Sequence, residues 1–132
     1  MMAVGLPFMI SPQAVRAGEN DQMDRLLDAI AKVESRSNAA TMGDSGKAAG
    51  MYQIHRSYWA DGTKTLGVDW DYRDAKDPQK ARQVVRAYLS RYGKGRTLLD
   101  VARIHNGGPK GDQKEATLAY ARKIEQILNR EA

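Results

Sequence analysis

The chain contains no cysteine. That excludes a disulfide-stapled scaffold and any metal site built on thiolates. Its 132 residues must therefore be held by one apolar core, as a single domain. Aromatic residues make up only 7% of the chain, with a single Phe, and Pro occurs 4 times. No apolar run approaches the ~20 residues that span a bilayer, which leaves no segment for membrane insertion. Internal repeats, low-complexity tracts and domain-dividing linkers are absent from the sequence as well. What is present is ordinary for a globular protein: 42% hydrophobic and 28% charged residues. The formal charge is +5, an excess that draws a protein towards polyanions. Nucleic acid is a poor fit. Lys and Arg are scattered among acids, and even the densest stretch, Arg73 to Arg96, includes Asp74 and Asp77. No basic run with interleaved aromatics occurs.

The first 18 residues differ from the rest. No charge precedes Arg16, and Met, Ala, Val, Leu, Phe and Ile dominate. Ala14-Val15-Arg16-Ala17 ends the segment with Val15 and Ala17 at the positions a signal peptidase reads. The segment reads as the apolar region and cleavage site of a secretory signal, without its basic start. Residues 1–18 are thus expected to be signal-derived and 19–132 to form the working domain, secreted or periplasmic.

Periodicity predicts mostly helix. Met23, Leu26, Leu27 and Ile30 recur at three- and four-residue steps, giving a first helix over about residues 21–35 with Asn20 or Asp21 as its N-cap. Residues 38–54 are rich in Gly and Ala and predict a small hairpin or irregular turn. A short helix is expected near residues 55–60, then a loop over 61–76. Asp77-Pro78 is a good N-cap and N1 pair for a long helix ending at Tyr92, where Gly93 supplies the stop. A shorter helix is predicted over residues 97–104. A last one is expected over 112–130, with Leu118, Ala121, Ile124, Ile127 and Leu128 turned inward. The sum is a mostly α domain of four or five helices around one core.

Two carboxylates stand out. Glu34 lies four residues after Ile30 and seven after Leu27, so it continues the apolar stripe and not the solvated side of Asp24, Arg25, Asp28 and Lys32. A carboxylate on a buried face is costly unless protonated or paired, and that cost is tolerated where a raised pKa serves a general acid. Structural pairing is the competing explanation. Asp44 follows in a stretch bracketed by Gly43 and Gly46, where the backbone can turn tightly. Asp beside Gly is also a common turn former. One carboxyl on an apolar face and one in a polar loop is an arrangement used to split glycosidic bonds, the first kept as an acid and the second ionised.

Lys32-Val33-Glu34-Ser35, Met42-Gly43-Asp44, Gly50-Met51-Tyr52-Gln53-Ile54, Tyr58-Trp59 and Ala102-Arg103-Ile104-His105-Asn106-Gly107-Gly108-Pro109 together resemble the invertebrate-type (i-type) lysozymes in order and approximate spacing. The Glu-Ser, Gly-x-x-Gln-Ile and Asn-x-Gly pieces are also similar to goose-type lysozymes and soluble lytic transglycosylases. The resemblance runs from about Leu26 to about Tyr120. It implies an α+β lysozyme-like fold and a peptidoglycan hydrolase, with Glu34 as general acid and Asp44 as second carboxylate, although the loop from Asp44 to Gly50 is about one residue short. It further implies substrate contacts from Ser45, Tyr52, Gln53, His105, Asn106 and Gly107. It calls for no cofactor or metal, a peptidoglycan or chitooligosaccharide partner, and a monomer. Animal i-type lysozymes are rich in disulfides, so a Cys-free chain suits a bacterial relative.

Blander readings stand beside these. Tyr52, Tyr58 and Trp59 fit as plain core aromatics, with at most one facing a sugar. The glycines after His105-Asn106 are explained by a helix C-cap, which leaves His-Asn unexplained. Neither His55 nor His105 has a partner at metal-binding spacing. Ser35 and Ser45 lack a His-Asp context for nucleophilic work. The rival activities are a lytic transglycosylase using Glu34 alone and a wall-binding module without turnover.

Overall fold

The computed structural model describes the backbone of residues 12–131 and the side chains of residues 20–131. Five helices surround one core: α1 (Pro12–Ser35), α2 (Arg56–Leu66), α3 (Pro78–Tyr92), α4 (Leu98–Gly107) and α5 (Leu118–Arg130). Between α1 and α2 a two-stranded antiparallel ribbon, β1 (Met42–Gly43) and β2 (Ala48–Ala49), pairs Met42 with Ala49 and Gly43 with Ala48. A 3₁₀ turn at Asp44–Gly46 joins the strands. The mostly α, small-hairpin architecture matches the expectation from sequence, and the lysozyme-like α+β description fits it.

Leu26, Leu27 and Ile30 of α1 are fully buried against Val84, Val85 and Leu89 of α3, Ile104 of α4 and Ile124 of α5. Each such side chain is worth roughly 1.5–3 kcal/mol when removed from water, and this core replaces the cross-links the chain lacks. The start of α3 is as expected: Asp77 Oδ1 accepts from Gln79 N and Lys80 N, with Pro78 at N1. Thr97 caps α4 by accepting from Asp100 N.

Three helix boundaries differ from the sequence reading. Helix α1 begins at Pro12, so Asn20 and Asp21 lie inside it and cap nothing. The expected signal segment falls largely outside the described residues; its last part, from Pro12, is helical backbone continuous with α1. Helix α2 does not stop at residue 60 but runs on through Gly62 to Leu66 and ends at Gly67, φ 81°. Gly62 is no breaker here: a Cβ on it would stand 2.5 Å from Val84 Cγ1, so its bareness lets α2 close onto α3. The last helix starts at Leu118, after 3₁₀ turns at Gly111–Gln113 and Glu115–Thr117. Thr117 Oγ1, 2.7 Å from the Gly111 carbonyl and 2.8 Å from Arg103 Nε, ties those turns to α4. Leu118 is consequently 38% exposed, not inward.

Candidate active site

The end of α1, the ribbon and α4 meet around a cleft of about 280 Å³ lined by Glu34, Asp44, Ala48, Gln53, His55, Tyr58, His105 and Asn106. A larger cavity, about 730 Å³, lies elsewhere, between α1, α3 and α4. Its lining includes apolar Met23, Leu89, Leu98 and Val101 but no carboxylate. The chemistry therefore belongs to the smaller one.

Glu34 ends the inward stripe of α1. Its side chain is 19% exposed, and burial pushes the carboxyl up to about 7. The Tyr120 hydroxyl and the Lys123 ammonium pull the other way. Tyr120 Oη is itself buried without a hydrogen-bond partner among the described residues, so it lies near the carboxyl without closing a well-aligned bond. The helix end is fastened to the loop by Ser35, whose Oγ lies 2.7 Å from the Met51 carbonyl and accepts from Asn38 N at 3.1 Å. Gly50 completes that fastening. Its amide donates to the Thr41 carbonyl at 2.8 Å, its φ is 80°, and a Cβ on it would stand 2.1 Å from the Ala75 carbonyl oxygen.

His105 sits beside Glu34 with its Nε2 3.5 Å from Glu34 Oε2. The same nitrogen is 3.0 Å from the Tyr52 carbonyl oxygen, and Nδ1 is 2.9 Å from the Tyr58 hydroxyl. A carbonyl can only accept, so Nε2 carries the proton and Nδ1 accepts from Tyr58. Desolvation takes the imidazole down to about 4, against a smaller upward pull from the Tyr52 carbonyl. Burial first, then Tyr88, Glu34 and Asp61, hold the Tyr58 hydroxyl well above its ordinary value, so it remains a donor. Its ring stacks on Tyr88, centroids 3.7 Å apart.

Across the cleft Asp44 is 62% exposed, with Oδ2 3.2 Å from His55 Nε2. Gln53 donates from Nε2 to the Gly50 carbonyl at 2.9 Å and to the Thr41 carbonyl at 3.2 Å. Both its N–H bonds are thus spent on the loop, and only Oε1 remains for a ligand. Among the described residues no three His, Cys, Asp or Glu side chains cluster as metal ligands. One partly buried acid, one exposed carboxylate and fixed amides can protonate a leaving oxygen on one side and meet developing positive charge on the other.

The model of the family described as Destabilase matches residues 23–127. A lysozyme of Ostrea edulis is 38% identical over 104 residues, 74% of this chain and 74% of that protein. An invertebrate-type lysozyme 6 of Caenorhabditis elegans is 35% identical, over 71% of this chain and 78% of that one. The crystal structure of Aeromonas hydrophila PliI in complex with Meretrix lusoria lysozyme superposes with a TM-score of 0.67 at 34% identity, covering 78% of this chain and 88% of that one. The chain belongs to the destabilase family. The resemblance to i-type lysozymes read from its motifs is the same relationship.

Within this destabilase cleft the structure brings together Glu34, Asp44, Gln53, His105 and Asn106 as the motifs suggested. It does not bring Ser45, Tyr52 or Gly107 to the lining. Ser45 sits on the exposed turn in the left-handed region, φ 56°. Tyr52 is 1% exposed, and its hydroxyl bonds Arg82 at 3.0 Å in the network with Asp28. Only its carbonyl serves the site, through His105. Gly107 offers its carbonyl to Lys114 Nζ at 2.6 Å, at the end of α4. His55 lines the cleft unforeseen as a site residue, and of the three aromatics weighed against a sugar-facing role Tyr58 lines it. Gln53, at φ 52°, closes a turn back to the Gly50 carbonyl, so no strand alternation announces His55.

Proposed function

We propose that this chain is a peptidoglycan hydrolase that cleaves the β-1,4 bond between N-acetylmuramic acid and N-acetylglucosamine. The carrying observation is Glu34: a carboxyl held at about 7 at the edge of a cleft, opposite an exposed second carboxylate. Glu34 gives its proton to the leaving oxygen. Asp44 stabilises or traps the oxocarbenium-like centre. His105, neutral and locked between Tyr52 and Tyr58, gives the Glu34 oxygen a fixed polar neighbour without a positive charge that would strip its proton. Gln53 Oε1 and Asn106 are left to orient sugars.

The lysozymes it resembles, from an oyster, a clam and a nematode, support the reaction class. A substrate outside the cytoplasmic membrane makes secretion or a periplasmic place part of the reading, and the net charge of +5 suits an anionic wall. A monomer suffices, because every named group comes from one chain. The absence of cysteine is what suits a bacterial source.

Mass spectrometry of the fragments released from purified peptidoglycan tests the proposal. Reducing ends support hydrolysis. Anhydro ends would transfer the reading to a transglycosylase that uses Glu34 alone, and no release would leave a wall-binding module.

A further inference from the structure

His55 has no part in the reading above, yet its Nε2 stands 3.2 Å from the Asp44 carboxylate. We infer that His55 is a positioning residue that aims Asp44 at the scissile sugar, which rests on the hydrolase reading.

The need for such a residue follows from the turn. Asp44 and Ser45 are consecutive non-Gly residues in the left-handed region, φ 52° and 56°. That conformation is sparsely populated and persists only where its surroundings hold it. The turn supplies little hold of its own. Gly43 caps it without a side chain, Lys47 N bonds only the Asp44 backbone carbonyl, and no residue of Asp44–Gly46 is buried. On its own an exposed Asp there would sample several rotamers.

His55 sits on a much firmer base. Ile54 beside it is fully buried and exchanges two backbone bonds with Ala49, at 3.0 and 2.9 Å. On its other side the His55 carbonyl accepts from Trp59 N at 2.9 Å, and Trp59 is 3% exposed. Ala49 belongs to β2, and β2 pairs with β1, which leads directly into Asp44. The His55 ring therefore reaches back over the ribbon from its anchored edge to its loose tip. Its Nε2 stands 3.2 Å from Asp44 Oδ2, close enough for the ring to confine the carboxylate.

The pair is 49% and 62% exposed, and an exposed pair of this kind adds little to stability. Its value lies in catalysis. A glycan filling the cleft displaces water from the carboxylate, and the polar contact with Nε2 at 3.2 Å strengthens as it does so. Misplacing a reacting group by about 1 Å can cost on the order of 100-fold in rate.

The experiment is steady-state kinetics of the full chain on a soluble muropeptide or chitooligosaccharide. The variants are His55→Ala, His55→Gln, Asp44→Asn, the double variant Asp44→Asn/His55→Ala, and Glu34→Gln, each checked for wild-type circular dichroism. His55→Ala should lower kcat about 10–100-fold with KM changed by no more than about 2-fold. His55→Gln should recover most of kcat, because the Gln Nε2 places an N–H close to that of the imidazole. The double variant should be no slower than Asp44→Asn alone. Wild-type kcat in His55→Ala, no recovery in His55→Gln, or multiplying losses in the double variant would overturn the inference. If any of those accompanied an inactive Glu34→Gln, the positioning role would fall while the hydrolase reading stood. An active Glu34→Gln would sink the hydrolase reading itself.

Discussion

His105 Nε2 and Glu34 Oε2 are 3.5 Å apart, and they do not form an ion pair. An ion pair needs the imidazole to hold its proton more tightly than the carboxyl. Here burial inverts the order, with His105 down to about 4 and Glu34 up to about 7. Between those values both groups are neutral, and Glu34 keeps the proton that an acid must give. A charged partner at the same distance would have taken that proton away.

Replacing Glu34 with Gln should leave the fold intact and remove activity. The amide is nearly isosteric but has no proton to transfer, and general acid catalysis is worth about 10²–10⁴-fold. Turbidity clearance of wall suspensions and turnover of a soluble oligosaccharide should both drop to that extent. Clearance at the wild-type rate would remove Glu34 from the acid role.

The same variant should be more stable than wild type in mild base. The folded carboxyl binds its proton more tightly than the unfolded one, about 7 against 4.5. The native state therefore holds the extra proton across that window, and wild-type stability falls as pH rises from 4.5 through about 7. The span corresponds to at most about 3 kcal/mol, at 1.36 kcal/mol per unit. Urea unfolding at pH 8 should show Glu34→Gln ahead of wild type by roughly 1–3 kcal/mol, with the gap closing by pH 4.5. His105 acts in the opposite direction: its lowered value removes stability as pH falls from 6.5 towards 4. Comparing variant with wild type at each pH cancels that slope.

Ser35→Ala should weaken the site more than the fold. The hydroxyl joins the end of α1 to the Met51 carbonyl and the Asn38 amide. Losing it costs roughly 1–2 kcal/mol in stability. Without the fastening, the loop carrying Gln53 and Asp44 is free to drift from Glu34. We expect kcat to fall about 10-fold or more while the melting temperature drops by only a few degrees. A loss of stability with unchanged kcat would show that the Ser35 bonds hold structure alone.

Gly62→Ala tests the packing that the sequence concealed. A methyl there meets Val84 Cγ1 at 2.5 Å and the Val84 carbonyl at 3.1 Å. Helix propensity favours Ala over Gly by up to about 1 kcal/mol. Overpacking costs roughly 1–3 kcal/mol and should win, because the facing atoms include backbone. Chemical denaturation should show a net loss. A net gain would mean that α2 and α3 can move apart without penalty.

The legible parts of the chain were those in which local chemistry and tertiary contacts agree. The stripe from Leu26 to Ile30 put Glu34 on the core side, and the Asp77-Pro78 cap set the start of α3 to the residue. Where a tertiary contact overrode a local preference, the reading failed. Gly62 looks like a breaker until Val84 is placed beside it. Leu118 looks inward until the Thr117 hydrogen bonds set the phase of α5. In the cleft the motif's Glu34, Asp44, Gln53, His105 and Asn106 come together, but not every side chain it named does. Tyr52 and Gln53 are adjacent, and the turn from Gly50, with Gln53 at φ 52°, sends one to the core and the other to the cleft. His55 was missed because its significance is a partner in space, Asp44, and not a residue pattern.

The pH dependence of turnover should follow Glu34. The acid must be protonated to act, so kcat/KM should fall as pH rises through the folded value, near 7, well above the ~4.3 of a free Glu. His105 cannot supply that limb, because its imidazole is already neutral over the whole range above about 4. Tyr58 and Tyr120 cannot either, since burial moves both hydroxyls well above their ordinary values. A soluble oligosaccharide is the right substrate, because a basic protein also binds an anionic wall and that binding varies with salt. Glu34→Asp shortens the side chain and withdraws the carboxyl from its desolvating pocket, so the limb should move and the rate should drop. A basic limb that stayed in place in Glu34→Asp, or a flat profile for wild type between pH 5 and pH 9, would show that another group sets it.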